Sequence, residues 1–262
     1  MATDHHSEPV GLYEDPVVYD VLHAPGTADE YAMLRVIADR FAPGDGTWLE
    51  PACGTARILR HAARQGERVA GFDLAQPMLD YADERFRANG TADRATVFNA
   101  PMQRFASHLR RSSIGFAFNT INTIRHLMTD DDLDAHLADI AAVLGRKGCY
   151  AVGLSTSAYG LEFPSEDVWV GVRGTLRVTQ TVNFDPPADA SRIERVYSHL
   201  TVERPNGTTH HDSAYTLRTY SLDEWLDAIE RSPLKLRAIV DEAAEDIEPT
   251  ELGYALYILA KR

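Results

Sequence analysis

The sequence predicts an α/β protein: a seven-stranded, doubly wound sheet into which a small antiparallel β-sheet is inserted late. Three observations predict it. Up to Leu154, short apolar runs alternate with stretches whose apolar residues recur at helical spacing. From Ser165 to Tyr220 the alternation stops and strand-like runs follow one another. After Ser221 a helix and two further strands complete the first pattern.

Taken in order, Tyr13, Tyr19 and His23 form an aromatic cluster ahead of the first long helix. In that helix Asp29 and Glu30 suit the first turn, Tyr31, Leu34, Ile37, Ala38 and Phe41 give one apolar face, and Pro43-Gly44 stops it. Thr47 to Glu50 reads as a strand, Pro51 to Ala56 as a turn, and Ile58, Leu59, Ala62 and Ala63 as a helix that ends at Gly66. Val69 to Phe72 is the second strand, closed by Asp73. Met78, Leu79, Ala82 and Phe86 mark the next helix, Ala95 to Asn99 the third strand and Ile114 to Phe118 the fourth. Thr129 caps a helix whose first turn holds Asp130, Asp131 and Asp132, and Gly145 to Gly148 turn the chain into a fifth strand, Cys149 to Leu154.

The inserted strands are expected at Val168 to Val172, Leu176 to Phe184, Ile193 to Glu203 and Thr208 to Thr219. Pro186-Pro187 is one turn, and Asn206-Gly207, where both residues tolerate positive φ, is a hairpin signal. Ser221 and Glu224 then form a capping box, and Leu236 to Val240 and Tyr254 to Ala260 are the last strands. The expected units are an N-terminal helical cover (1–43), a core (44–160), an inserted antiparallel unit (161–220) that serves as substrate wall or lid, and a completion of the core (221–262).

In a parallel strand-helix-strand unit the strand ends and the helix N-terminus converge on one crevice. Gly54, with small Ala52 and Ala56 beside it, lets a ligand approach the backbone, and Asp73 lies 23 residues after Glu50, where a second-strand acid meets ribose hydroxyls. A dinucleotide fingerprint is missing, because its three glycines would fall at Ala52, Gly54 and Arg57. A pyrophosphate would also sit poorly beside Glu50. These residues suit a ligand that bears adenosine and a cation.

Glu50-Pro-Ala-Cys-Gly-Thr-Ala56 and Gly71-Phe-Asp-Leu-Ala-Gln-Pro-Met-Leu79 resemble the two cofactor motifs of the class I methyltransferases that use S-adenosyl-L-methionine (SAM). The resemblance implies a Rossmann-like core in which Glu50, Ala52, Cys53 and Gly54 lie along the methionine part of SAM. Asp73 would hold the ribose, with Leu74 and Met78 behind it. Ala52 and Ala56 stand where the family usually has glycine. Met102 and Phe105 fit its third motif, but Pro101 occupies the position of an aspartate that binds the adenine amino group, so backbone and apolar contacts must hold the adenine. Asn119 and Thr120 would lie beside SAM, and His126 near the acceptor. Tyr19 to Tyr31 looks like the segment that small-molecule members fold across the cofactor, and Tyr19 matches the tyrosine that reaches it. The insertion resembles that of the aminosugar N,N-dimethyltransferases of macrolide biosynthesis, and glycine N-methyltransferase-like enzymes share the plan.

Methyl transfer from a sulfonium is an in-line displacement, so alignment of the reacting atoms lowers most of the barrier. An ammonium cannot attack, and His126, with an ordinary pKa near 6.5, is suited to take the proton from an amine. His126 as a structural hydrogen-bonding group and Tyr19 as a core tyrosine are the competing readings. In the insertion and its approach, Tyr159, Arg173, His199, His210, His211, Tyr215 and Arg218 are candidates for the acceptor wall. No metal is expected, because adjacent His210 and His211 point to opposite faces of a strand. O-methylation, an NAD-dependent oxidoreductase and a non-catalytic SAM-binding module with the inserted sheet as partner interface are the alternatives.

Composition bounds the partners. With 39 acids against 26 bases and a formal charge of −13, the chain lacks the basic surface that grips nucleic acid. Met1 to Val10 is polar and no run has the length of a membrane span, so neither a signal peptide nor a membrane partner is expected. Two cysteines, Cys53 and Cys149, suit free thiols in a cytoplasm, Cys53 as a small residue filling the loop. The open edge of an antiparallel sheet admits a homodimer.

Overall fold

The computed structural model describes residues 14–187 and 191–262. Tyr13 and the stretch Met1 to Val10 lie outside the described residues. Two helices lead in. In α1 (Pro16–His23) the Asp15 carboxylate accepts the amides of Val17 and Val18, and Pro16 suits a first turn that needs no donor. Next, α2 (Thr27–Phe41) buries Leu34, Ile37, Ala38 and Phe41 along one stripe, the face its spacing predicts.

The core alternates as expected: β1 (Thr47–Pro51), α3 (Arg57–Arg64), β2 (Val69–Asp73), α4 (Gln76–Ala88), β3 (Ala95–Asn99), β4 (Ile114–Asn119), α5 (Asp130–Val143) and β5 (Leu144–Thr156). Strands β6 (Ser165–Arg173), β7 (Leu176–Asp185), β8 (Ile193–Arg204) and β9 (Gly207–Arg218) follow, then α6 (Leu222–Arg231), β10 (Leu234–Val240) and β11 (Gly253–Lys261). One sheet has seven strands in the order β10-β11-β5-β4-β1-β2-β3, and the other has four, β6-β7-β8-β9. In the first, β11 runs antiparallel to β5 and β10 while the remaining pairs are parallel. The strand order reverses beside β1, between β2 and β4, which opens a crevice at their carboxyl ends. Trp48, Leu49, Phe72, Phe116 and Phe118 are buried below it.

Local expectations hold with two corrections. The capping box at Ser221 and Glu224 is formed, and Thr129 caps α5 by accepting the Asp132 amide. Gly145 to Gly148, expected as a turn, belong instead to β5, whose pairing with β4 shifts register there. The β8-β9 hairpin forms, but its two-residue turn is Pro205-Asn206, because Gly207 already pairs with Arg204. Proline's fixed φ initiates that turn, and only Gly207 takes positive φ.

The second sheet is two-faced. Val178, Leu200 and Val202 pack against Val18, Val21 and Leu22 of α1, whereas Val168, Val170, Val172 and Tyr197 on the opposite face are exposed. At Gly171 the sheet meets the helix backbone so closely that a Cβ would lie 1.9 Å from the Val21 carbonyl oxygen. No helix among the described residues is long and apolar enough to cross a membrane.

Substituting Gly171→Ala must therefore push α1 off the sheet. We expect a loss of about 1–3 kcal/mol in urea unfolding, the range for an overpacked core. Unchanged stability would mean that α1 is not held to the sheet at this point.

Candidate active site

The loop between β1 and α3 sets the crevice. Ala52, Gly54 and Ala56 all have positive φ (50°, 51° and 55°), so the two alanines occupy a conformation in which glycine is free of strain. Their departure from the family's glycines costs about 1 kcal/mol or more each without changing the shape of the loop. Gly54 has no room for a side chain: a Cβ would meet the Tyr19 ring at 3.0 to 3.2 Å. Tyr19 thus lies on the loop, tilted against His23 with ring centroids 4.4 Å apart. Cys53 is buried and its sulfur lies where a Cβ on Gly71 would fall, so its side chain fills space beneath the loop. Burial pushes its thiol pKa well up.

Asp73 ties the two strand ends together. One carboxylate oxygen accepts the Gly54 amide at 2.8 Å and the other the Ala75 amide at 2.9 Å, which leaves a further lone pair on each for a hydroxyl. Burial raises its pKa and the backbone donors oppose the rise. Leu74 beside it is 68% exposed, an apolar side chain on the rim, whereas Met78 is fully buried and offers no surface to the crevice.

At the end of β1, Glu50 is part-buried, and its Oε2 is covered without a hydrogen-bond partner. Burial holds its pKa well above the ordinary range; Arg57 pulls it down, and Glu30 and Asp73 push it up. On β4 the Asn119 amide donates to the Pro51 carbonyl at 3.0 Å, and its Oδ1 is likewise buried without a partner. Two unpaired acceptors at neighbouring strand ends fit a ligand that brings a cation and donors. Thr120 is engaged elsewhere: its hydroxyl donates to Glu30 at 2.6 Å, and Glu30 also pairs with Arg57 at the start of α3.

Beyond Thr120, Ile121 and Asn122 are both left-handed (φ 56° and 61°). That conformation is unusual for β-branched Ile121, which is half exposed, and it is held because Asn122 accepts the Ser155 amide at 2.6 Å and donates to the Ser155 hydroxyl. The next turn, Thr123–His126, brings Arg125 inward to pair with Glu194 on β8 and donate to the Arg218 carbonyl. His126 is solvent-accessible and stacks on Tyr215 of β9, with centroids 6.0 Å apart. The protein packed round it and the adjacent Arg125 lower its pKa below 6.5.

Other candidates separate. Arg173 reaches Asp20 and Tyr81, and Tyr159 donates to Glu224 of the capping box. Arg218 bonds the Met128 carbonyl and Asp130. His199 and His210 lie on the exposed outer face with Asp212, where His199 and Asp212 line a shallow depression away from the crevice, and His211 is exposed too. Pro101 and Met102 begin the segment after β3, and two α5 residues absent from the sequence expectation hold it. His136 is fully buried: its Nδ1 bonds the Met102 carbonyl and its Nε2 the Tyr150 hydroxyl, each at 2.9 Å. Asp139 accepts the amides of Phe105 and Ala106. His136 lies on the buried stripe of α5 and Asp139 is part-buried beside it, a histidine or aspartate next to apolar residues being the signal.

Comparison with known proteins bears on this geometry. Residues 49–148 match a family described as a methyltransferase domain. A curated relative from Streptomyces fradiae, dTDP-3-amino-3,6-dideoxy-alpha-D-glucopyranose N,N-dimethyltransferase, is 28% identical over 214 residues, covering 79% of this chain and 78% of the relative. Residues 49–148 thus carry a methyltransferase domain, and the chain is a SAM-dependent methyltransferase. The fold agrees with solved structures. DesVI of Streptomyces venezuelae superposes with a TM-score of 0.72 at 21% identity, over 94% of this chain and 98% of that one. The SAM-bound amino pentose methyltransferase CalS10 of Micromonospora echinaspora gives 0.68 at 18% identity, over 98% and 100%. SAM is the methyltransferase's cofactor.

His136 makes the enzyme's stability depend on pH. Burial lowers its pKa from 6.5 to about 4, so below pH 6.5 the unfolded chain takes up a proton that the folded one refuses. Stability contributed by the neutral ring is whole above pH 6.5 and declines as the pH falls toward 4. We expect unfolding free energies measured between pH 7 and 4.5 to show a slope of up to about 1.4 kcal/mol per pH unit from this group, absent in His136→Asn. An equal slope in that variant would assign the dependence to other groups.

Proposed function

We propose that the methyltransferase acts on an amine nitrogen of a small molecule, an amino sugar being the acceptor class its relatives favour. The observation that carries this reading is His126: an accessible imidazole, kept neutral, at the junction of β4's end and the inserted sheet. SAM supplies a methyl group on a sulfonium, open to in-line attack. The chain's own residues hold and orient: Asp73 engages the ribose hydroxyls, Glu50 and Asn119 the cationic end, and Leu74, Pro101 and Met102 flank the adenine. Ala52, Cys53 and Gly54 contribute backbone, with Tyr19 closing over them. In this reading His126 would take one proton from the acceptor's ammonium and so free its lone pair for the methyl group that SAM would supply, the methylated amine and S-adenosylhomocysteine being the products.

The expected units enter the same reading. Residues 1–43 serve as cover, 44–160 with 221–262 as cofactor core, and 161–220 as acceptor wall. Buried free thiols at Cys53 and Cys149 agree with a reducing cytoplasm. The exposed Val168, Val170, Val172 and Tyr197 support a homodimer formed through the outer face of the inserted sheet. Val170→Lys would then yield monomers in sedimentation velocity, whereas an unaltered profile would exclude that face.

Release of S-adenosylhomocysteine is the direct assay, with nucleotide-linked amino sugars set against their hydroxyl counterparts. Turnover confined to the amines is expected, and equal turnover of the hydroxyl compounds would overturn N-methylation. His126→Phe should lower kcat about 100-fold while leaving S-adenosylhomocysteine affinity in place. Because only the neutral ring accepts a proton and its pKa is depressed, kcat/KM should hold at pH 6.5 and fall on the acid side below it. An unchanged rate in the variant removes His126 from the chemistry.

A further inference from the structure

We propose that Asp20 is a positioning residue, whose buried carboxylate sets the cofactor loop and the inserted sheet in one fixed arrangement. This rests on SAM binding alone and not on the choice of acceptor.

Asp20 lies on α1 and is 1% exposed, yet four donors from four parts of the chain converge on it. One oxygen accepts the Thr55 hydroxyl at 3.0 Å and the Arg60 guanidinium of α3. The other accepts the Tyr81 hydroxyl of α4 at 2.9 Å and the Arg173 guanidinium of β6 at 2.6 Å. A carboxylate is the side chain that meets this demand, since two acceptor oxygens with two lone pairs each match four donors. An asparagine would offer one oxygen and direct N–H groups at a guanidinium.

The placement of two of these donors gives the cluster its consequence. Thr55 lies in the loop between Gly54 and Ala56, both at positive φ, and is itself 1% exposed. Its bond to Asp20 therefore helps to hold a strained loop in the shape that approaches the cofactor. Tyr19, the residue before Asp20, is by the same anchor seated on Gly54. Arg173 ends β6, the strand that meets α1 at Gly171, so the second oxygen fastens the sheet to the point where the first fastens the loop. Arg60 and Tyr81 brace the centre, the guanidinium standing 5.6 Å from the tyrosine ring centroid.

The two arms can be cut separately. Thr55→Val removes the loop arm and keeps the side-chain volume. Arg173→Met removes the sheet arm at a side chain that is 43% exposed, leaving Asp20 paired with Arg60. Titration calorimetry with S-adenosylhomocysteine should show about tenfold weaker binding in Thr55→Val and a change of no more than about twofold in Arg173→Met. Hydrogen exchange followed by mass spectrometry should show S-adenosylhomocysteine slowing exchange in the loop 52–56 and in Ser165–Arg173 of the unaltered enzyme. In Arg173→Met the loop should remain protected while the slowing in Ser165–Arg173 is lost, and Arg173→Lys should restore part of it. Asp20→Asn, where it folds, should lose both effects; where it does not, the single-arm variants decide. The proposal is overturned by slowing in Ser165–Arg173 that persists in Arg173→Met, by its absence in the unaltered enzyme, or by unchanged affinity in Thr55→Val.

Discussion

A loop that carries two alanines at positive φ does not keep its shape by local preference, so contacts from outside must supply what the backbone lacks. In the stretch from Ala52 to Ala56 they come from three directions. Asp73 accepts the Gly54 amide, Asp20 accepts the Thr55 hydroxyl and the Tyr19 ring lies on Gly54. Each is charge-assisted or buried, which in a low-dielectric interior strengthens it. The strain of about 1 kcal/mol or more at each alanine is thereby offset by bonds that reach into β2 and α1. The loop, Asp73 and α1 are consequently parts of one assembly, and a substitution in any of them is felt in the others.

The charge of the crevice follows from the same arrangement. Glu30 and Asp73 add their negative charge near Glu50 against the guanidiniums of Arg57 and Arg60, and Glu30 already engages Arg57. Burial alone would drive Glu50 to protonate, and the absence of any partner at its Oε2 leaves that tension unrelieved within the protein. A sulfonium or ammonium here would meet an acceptor that has no hydrogen-bond partner within the protein. A pyrophosphate would add negative charge to the same place, which is why the acid at the end of β1 speaks against a dinucleotide as strongly as the missing glycines do.

Periodicity and turn chemistry made the fold legible. The strand-helix alternation, the capping box at Ser221 and Glu224 and the inserted antiparallel sheet are all local patterns, and Glu50, Gly54 and Asp73 follow from their spacing at strand ends. What could not be read was set by contacts distant in sequence. Asp20 and Arg173 are 153 residues apart, and nothing in α1 indicates that the acid will be buried by a strand of the insertion. His199 and His210 could not be assigned to a face, because alternation fixes only that neighbouring residues point apart and leaves the choice of buried face to packing. The hairpin at Asn206 shows the limit of a turn motif: the reversal was correct, yet Pro205 took the first turn position and moved the register by one residue.

Pro101 stands where the resembled family has an acid, and a proline offers no side-chain hydrogen-bonding group. The segment from Pro101 to Ala106 is held from below by α5, His136 bonding the Met102 carbonyl and Asp139 accepting the Phe105 and Ala106 amides. A backbone fixed at both ends can present its groups to a base edge without the entropy cost of ordering a side chain. The price is a buried histidine that must stay neutral, since protonation would ask the ring to donate from both nitrogens where Tyr150 already donates to one. Leu74 stays exposed across the rim. The segment after β3 is accordingly fixed through its main chain, and its tolerance of acid is limited by the residue that makes that main chain rigid.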